Sequence, residues 1–101
     1  NQKMNNASTF LPDLLRRISS DDHVTIIFLK ELWPQIVGEK MAINSRPLSL
    51  QKKELLVAVH SEAWKKELTG FEATLVSNIN NYWRFPLVKR VQFTVGSSDR
   101  S

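Results

Sequence analysis

The sequence predicts an α+β fold with a small three-stranded sheet and helices packed on one face, in the order α-α-β-β-α-β. Two observations carry this prediction: apolar residues recur at helical spacing in three stretches and follow strand patterns in three others. The chain has 101 residues, 42% of them hydrophobic and 24% charged, which suits one modest core. We therefore expect a single domain over residues 8–95, between flexible ends at residues 1–7 and 96–101.

Two helices are predicted before the first strand. Residues 8–18 begin with Ser and Thr, which can cap a helix, and continue with regularly spaced apolar residues. A second apolar stripe runs over about residues 23–42 and keeps its phase across Pro34, so we expect a kink or two abutting helices at that proline. Residues 26–28 (IIF) are apolar nearly all round, which predicts deep burial or contact with another chain.

Three strands are predicted from alternating or continuous apolar patterns. Residues 47–51 and 54–60 form the first two, with Lys52 and Lys53 as a short turn between them. That turn contains neither Gly nor Asn, the residues that favour hairpin turns with positive φ. The last strand is predicted over residues 87–95, where apolar and polar residues alternate, so one face should be buried and one wet.

A long helix is predicted between the second and third strands. Ser61 can cap it, and it should reach about Trp83. Trp64 lies on the apolar stripe of this helix, where core packing is the leading interpretation and contact with a partner the alternative. Trp83 lies off the stripe, so we expect it to be exposed and able to contact a partner. The stripe consists of Trp64, Leu68, Phe71, Leu75, Ile79 and Tyr82.

No set of catalytic groups can be assembled from the sequence. The two histidines, His23 and His60, lie in different predicted elements, and the three glycines are isolated rather than grouped in a phosphate-binding loop. Cysteine is absent and no His-Glu-x-x-His motif occurs, so we expect no metal. Four glutamates, including Glu72, are interpreted as solvated partners of neighbouring lysines. The sequence therefore predicts a non-enzymatic protein without cofactors.

Positive charge is the main chemical feature of the chain, which has a formal net charge of +4 and a pI of about 9.7. Lys65 and Lys66 lie in the first turns of the long helix, where a cation opposes the helix dipole, so local stability does not explain them. Contact with phosphates would explain them, and a solvated face balanced by Glu62 and Glu67 is the alternative. The candidate nucleic-acid-binding residues are Arg46, Lys52, Lys53, Lys65, Lys66, Arg84, Lys89 and Arg90, and they predict backbone binding with little sequence preference.

An ordered set of short motifs resembles a known family. The main pieces are residues 32–38 (LWPQIVG), 55–59 (LLVAV), 61–64 (SEAW) and 91–95 (VQFTV). Together they resemble the DciA family of bacterial replication proteins over about residues 10–95, and the Ala-Trp step after a strand is the most specific part. The resemblance implies a KH-like domain without ATPase activity that binds the replicative DnaB-type helicase and single-stranded DNA and promotes helicase loading. It also implies a cytoplasmic, nucleoid-associated protein.

The sequence departs from the family pattern in two places. Its hairpin turn carries Lys53 and Glu54 where many relatives have Gly or Asn, and the long basic extension of many relatives is absent, which implies weaker DNA binding. Residues 38–41 (GEKM) do not supply a KH-type G-x-x-G loop, so sequence-specific RNA clamping is not expected. A KH-type RNA-binding module and a purely protein-binding domain with an acidic partner stay open as alternatives, as does the oligomeric state.

Overall fold

The computed structural model describes residues 13–96, and its elements follow the predicted order. The predicted flexible ends lie outside the described residues, apart from Gly96. Residues 13–18 are helical and are called α1 here. The remaining elements are α2 (Asp22–Val37), α3 (Glu39–Ala42), β1 (Ser45–Gln51), β2 (Glu54–Val59), α4 (Glu62–Thr69), α5 (Glu72–Trp83) and β3 (Arg90–Val95). This confirms the α+β class with a three-stranded sheet and helices packed against it.

The sheet has the strand order β1-β2-β3 and mixes the two kinds of pairing. β1 and β2 are antiparallel because a two-residue turn joins them, whereas α4 and α5 return the chain so that β3 pairs with β2 in parallel. In the register, Val57 of the central strand lies between Pro47 and Phe93. β1 starts two residues earlier than predicted, where Ser45 Oγ accepts a hydrogen bond from the Trp33 indole at 3.1 Å.

One face of the sheet forms the core with the helices. Val57 at 0% exposure lies at its centre, and Arg46, Ser49 and Gln92 are exposed on the opposite face. Burying such apolar side chains contributes about 1.5–3 kcal/mol each relative to exposure. The buried core residues are Leu15, Leu29, Trp33, Ile36, Leu50, Leu55, Val57, Val59, Leu68, Leu75, Ile79, Trp83, Leu87, Val88 and Val91.

The second predicted helix is divided at Gly38 and not at Pro34. α2 continues through the proline to Val37, and Gly38 then adopts φ 94°, a backbone conformation that side-chain-bearing residues rarely take. Pro34 is tolerated because it lies on the exposed side of α2, where water can reach the Lys30 carbonyl that loses its helical donor. Of the two alternatives for residues 26–28, deep burial is wrong for Ile27, which is 58% exposed, and contact with another chain stays a prediction.

The predicted long helix is two helices, α4 and α5, with Gly70 and Phe71 between them. The Phe71 N–H donates to the Leu68 carbonyl at 2.9 Å, which closes α4, and Glu72 starts α5. The apolar stripe continues across this break, and its period therefore gave no sign that the helix is interrupted. As a consequence Phe71, a residue of the predicted stripe, is 47% exposed.

The segment before β3 is buried without being a strand, although the sequence predicts a strand from residue 87. Leu87 and Val88 pack in the core, and β3 begins only at Arg90. The Asn80 side chain forms the hydrogen bonds that a neighbouring strand would otherwise provide to this segment. Its amide nitrogen donates to the Val88 carbonyl and its oxygen accepts from the Val88 N–H, both at 3.0 Å. The backbone polar groups of a buried loop are satisfied in this way.

Candidate functional site

An apolar groove of about 550 Å³ opens between the end of α2, α3 and α4. Its walls are apolar except for Lys40 on the α3 side and Glu67 on the α4 side. No ion pair joins these two side chains in the described part of the chain. The lining residues are Val37, Lys40, Met41, Ala63, Trp64, Glu67, Leu68 and Phe71.

Trp64 stands at the boundary between this groove and the core. Ser61 Oγ accepts a hydrogen bond from the Trp64 N–H at 3.3 Å, which caps α4 and fixes where its first turn begins. The side chain is half-buried and packs against the core cluster, while part of it lines the groove. Core packing and contact with a partner, the two interpretations given to Trp64 from the sequence, are therefore compatible in one residue.

Trp83 is fully buried, so the expectation that it is exposed is wrong. Its side chain is 0% accessible, and its indole Nε1–H donates to the Leu15 carbonyl at 3.0 Å. The reason is spacing within α5, because Trp83 follows Ile79 by four residues and therefore lies on the face that this helix buries through Leu75, Ile79 and Trp83. Trp83 has no surface left for a partner.

Four of the eight predicted nucleic-acid-binding residues come together at the hairpin end of the sheet. The Lys53 carbonyl accepts from the Lys89 N–H at 2.7 Å and from the Arg90 N–H at 3.3 Å. The β1–β2 turn is thereby joined to the start of β3, although about 35 residues separate the two segments. We call Lys52, Lys53, Lys89 and Arg90 the basic end.

The turn of the basic end has a backbone conformation that lysine disfavours. Lys52 and Lys53 have φ values of 50° and 66°, and a two-residue hairpin turn with two positive φ values favours Asn-Gly. Arg84, the left-handed residue that ends α5, has φ 59°. In residues 13–96 every non-glycine residue with positive φ is thus one of the predicted basic residues.

The other predicted basic residues lie elsewhere and do not form one continuous surface with the basic end. Arg46 is exposed on the uncovered face of the sheet, opposite Ala58 near the far end of β2. Lys65 is half-buried and Lys66 exposed on α4, where both border a shallow depression that includes Glu62. Arg84 is exposed at the end of α5.

Glu72 connects α5 to the outer edge of β3, a contact that sequence reasoning missed. Its carboxylate accepts from the Val91 N–H and from Arg90 Nε, both at 2.9 Å. The Val91 N–H chiefly, and then the Arg90 guanidinium, hold the pKa of Glu72 below its ordinary value, and the same contact raises the pKa of Arg90. The sequence signal that could have led to this contact is Gly70, which marks where the helix ends.

Phe71 is the groove residue that the sequence did not reveal as a candidate. It shares the period of a buried stripe, and only the end of α4 at Gly70 turns it toward the surface. Among residues 13–96, no group of three or more His, Asp or Glu side chains is arranged to hold a metal ion. Within the same range, no helix is long and apolar enough to cross a membrane.

An α+β unit with an apolar groove and a separate basic end has the features of a small binding domain. The family model described as "Dna[CI] antecedent, DciA" matches residues 6–93. The chain belongs to the DciA family, which confirms the resemblance seen in its motifs. Membership connects the chain with DnaB-type helicase loading in DNA replication. No individual curated protein sequence matches the chain significantly.

Proposed function

We propose that this protein is a non-enzymatic replication adaptor that binds the replicative DnaB-type helicase and single-stranded DNA and promotes helicase loading. The observation that carries the proposal is the family match over residues 6–93, which spans nearly all of the described elements. The adaptor would act in the cytoplasm, on DNA of the nucleoid. Neither role needs chemistry on a bound substrate, since binding two partners at once is sufficient to bring them together.

The apolar groove is the surface that we assign to the helicase. Phe71 is exposed beside half-buried Trp64, and aromatic side chains in such positions often dominate binding energy. The groove floor is apolar, while Lys40 and Glu67 put opposite charges on its two sides. These features fit an amphipathic helix of the helicase, with its apolar face on the floor and an acidic residue toward Lys40.

Co-purification with a DnaB-type helicase, with and without DNA, tests this assignment. Phe71→Ser is expected to weaken helicase binding by about 2 kcal/mol, roughly 30-fold, because it removes an exposed aromatic without changing the charge. Ile43→Ser is the matched control, since Ile43 is 80% exposed and lies outside the groove. No helicase interaction of the unmodified protein would refute the adaptor function. Equal binding by the Phe71 and Ile43 variants would refute only the groove.

Binding of single-stranded DNA is supported by the net charge of +4 and by the exposed basic residues. Contacts of lysine and arginine with phosphates release counterions, so the affinity should fall steeply with salt. For single strands, a plot of the logarithm of the binding constant against the logarithm of the salt concentration should have a slope of about −0.7 per phosphate contacted, which we call the salt slope. Binding that does not change with salt would contradict contact with the backbone.

A further inference from the structure

We propose that the basic end is the principal site for the phosphate backbone of single-stranded DNA, and that lysines occupy its strained turn for that reason. This inference rests on the DNA binding proposed above and deepens it. It selects Lys52, Lys53 and Lys89 as the contacting cations, ahead of the basic residues on α4 and on the open face of the sheet.

The turn between β1 and β2 has a conformation that disfavours lysine. Positive φ brings the Cβ of an L-residue close to its own backbone, so Lys52 and Lys53 are both unfavourable where Asn-Gly would fit without strain. Both side chains are exposed, and neither forms an ion pair with any residue in the range 13–96. No contact within the described fold therefore stabilises lysine at these positions. Contact with an anionic ligand would explain why lysine is present.

Hydrogen bonds connect the turn to the start of β3. The Lys53 carbonyl accepts hydrogen bonds from the N–H groups of Lys89 and Arg90, which fixes the turn against the start of β3. Glu72 holds the same segment from the other side through Arg90 and Val91. The backbones that carry the lysines are thus fixed before a ligand arrives, which lowers the entropy lost on binding.

Three of the four cations of the basic end are not paired with a carboxylate in the range 13–96. Arg90 forms an ion pair with Glu72 at 2.9 Å, and Glu54 lies beside Arg90 in the register of β2 and β3. Lys52, Lys53 and Lys89 are left as three lysines without an ion pair among residues 13–96. Three phosphate contacts on a single strand predict a salt slope of about −2 from this site. The site recognises phosphates and no base edge, so little sequence preference is expected.

The decisive variant replaces Lys52 by Asn and Lys53 by Gly in the full chain. Asn-Gly relieves the strained turn, so the melting temperature should rise, while the affinity for oligo(dT) falls and the salt slope becomes shallower by about 1.4. If the turn has a purely structural role, the melting temperature should rise while the affinity for oligo(dT) and the salt slope stay unchanged. The matched control removes two exposed charges elsewhere, with Arg17→Gln and Lys30→Gln. It should leave the slope nearly unchanged.

Three results would overturn the inference in different ways. If Lys65→Gln with Lys66→Gln makes the slope shallower and the turn variant does not, the site lies on α4 while the proposed DNA binding stands. If oligo(U) binds and oligo(dT) does not, the ligand is RNA. If the unmodified protein binds neither at low salt, the inference fails together with the DNA-binding half of the proposed function. Co-purification with the helicase then tests the helicase-binding part of the proposed function separately.

Discussion

The indole of Trp83 is held by packing and by a hydrogen bond, and the two contributions can be separated. Trp83→Ala should lower the free energy of unfolding by about 3–5 kcal/mol because it leaves a large cavity. Trp83→Phe keeps most of the packing but leaves the buried Leu15 carbonyl without its donor, at a cost of about 1–3 kcal/mol. Urea denaturation measures both, and Trp64→Ala is the comparison because Trp64 is only half-buried. Equal losses for the two alanine variants would contradict the different burial of these residues.

Residue types alone do not separate binding side chains from core side chains in this protein. Trp64 and Trp83 belong to the same predicted helix, yet one borders a groove and the other is sealed in the core. Residues three and four positions apart on a helix both lie close to the same face, so spacing alone does not show where a buried stripe ends at its edges. The predicted stripe continues from Ile79 to Tyr82, and Trp83, which is also one turn after Ile79, is therefore assigned to the surface although it belongs to the buried face of α5.

The α4–α5 break is the element-level feature that shapes the candidate site. It exposes Phe71 at the groove and starts α5 where Glu72 can reach the outer edge of β3. An edge strand presents unpaired N–H groups that could pair with another chain. The Glu72 carboxylate satisfies one of them, the Val91 N–H, and so protects this part of the edge.

The Glu72 contact predicts a pH dependence of stability. The pKa of Glu72 is lowered in the folded state, so the charged form adds stability that is fully present at neutral pH. This stability is lost as the pH falls through the lowered pKa of the folded protein. Because the group is partly exposed, we expect at most about 1 kcal/mol. Thermal melting from about pH 7 to about pH 3 should show a smaller acid-induced loss for Glu72→Gln than for the unmodified protein. Identical pH profiles would rule out this contribution.

At the scale of the whole molecule, the sequence was sufficient for the fold class, the element order and the family. Alternating residues such as Leu55, Val57 and Val59 indicate a face of a sheet because their period is local. The joining of Lys53 to Lys89 could not be predicted in this way. It depends on β3 pairing in parallel with β2, a long-range contact that leaves no local period. The basic end is therefore visible only in the structure.

The groove and the basic end share no lining residue, and this separation predicts independent binding. Variants at sites without shared contacts usually have additive effects. Phe71→Ser should therefore leave the affinity for oligo(dT) and its salt slope unchanged, because it alters no charge. The Lys52→Asn, Lys53→Gly variant should still co-purify with the helicase when DNA is absent. Each of the two variants, and a triple variant that combines all three substitutions, is measured in both assays. The triple variant should lose affinity for oligo(dT) and for the helicase. If the turn variant also loses the helicase without DNA, one surface serves both partners, and an adaptor with two separate sites is the wrong description.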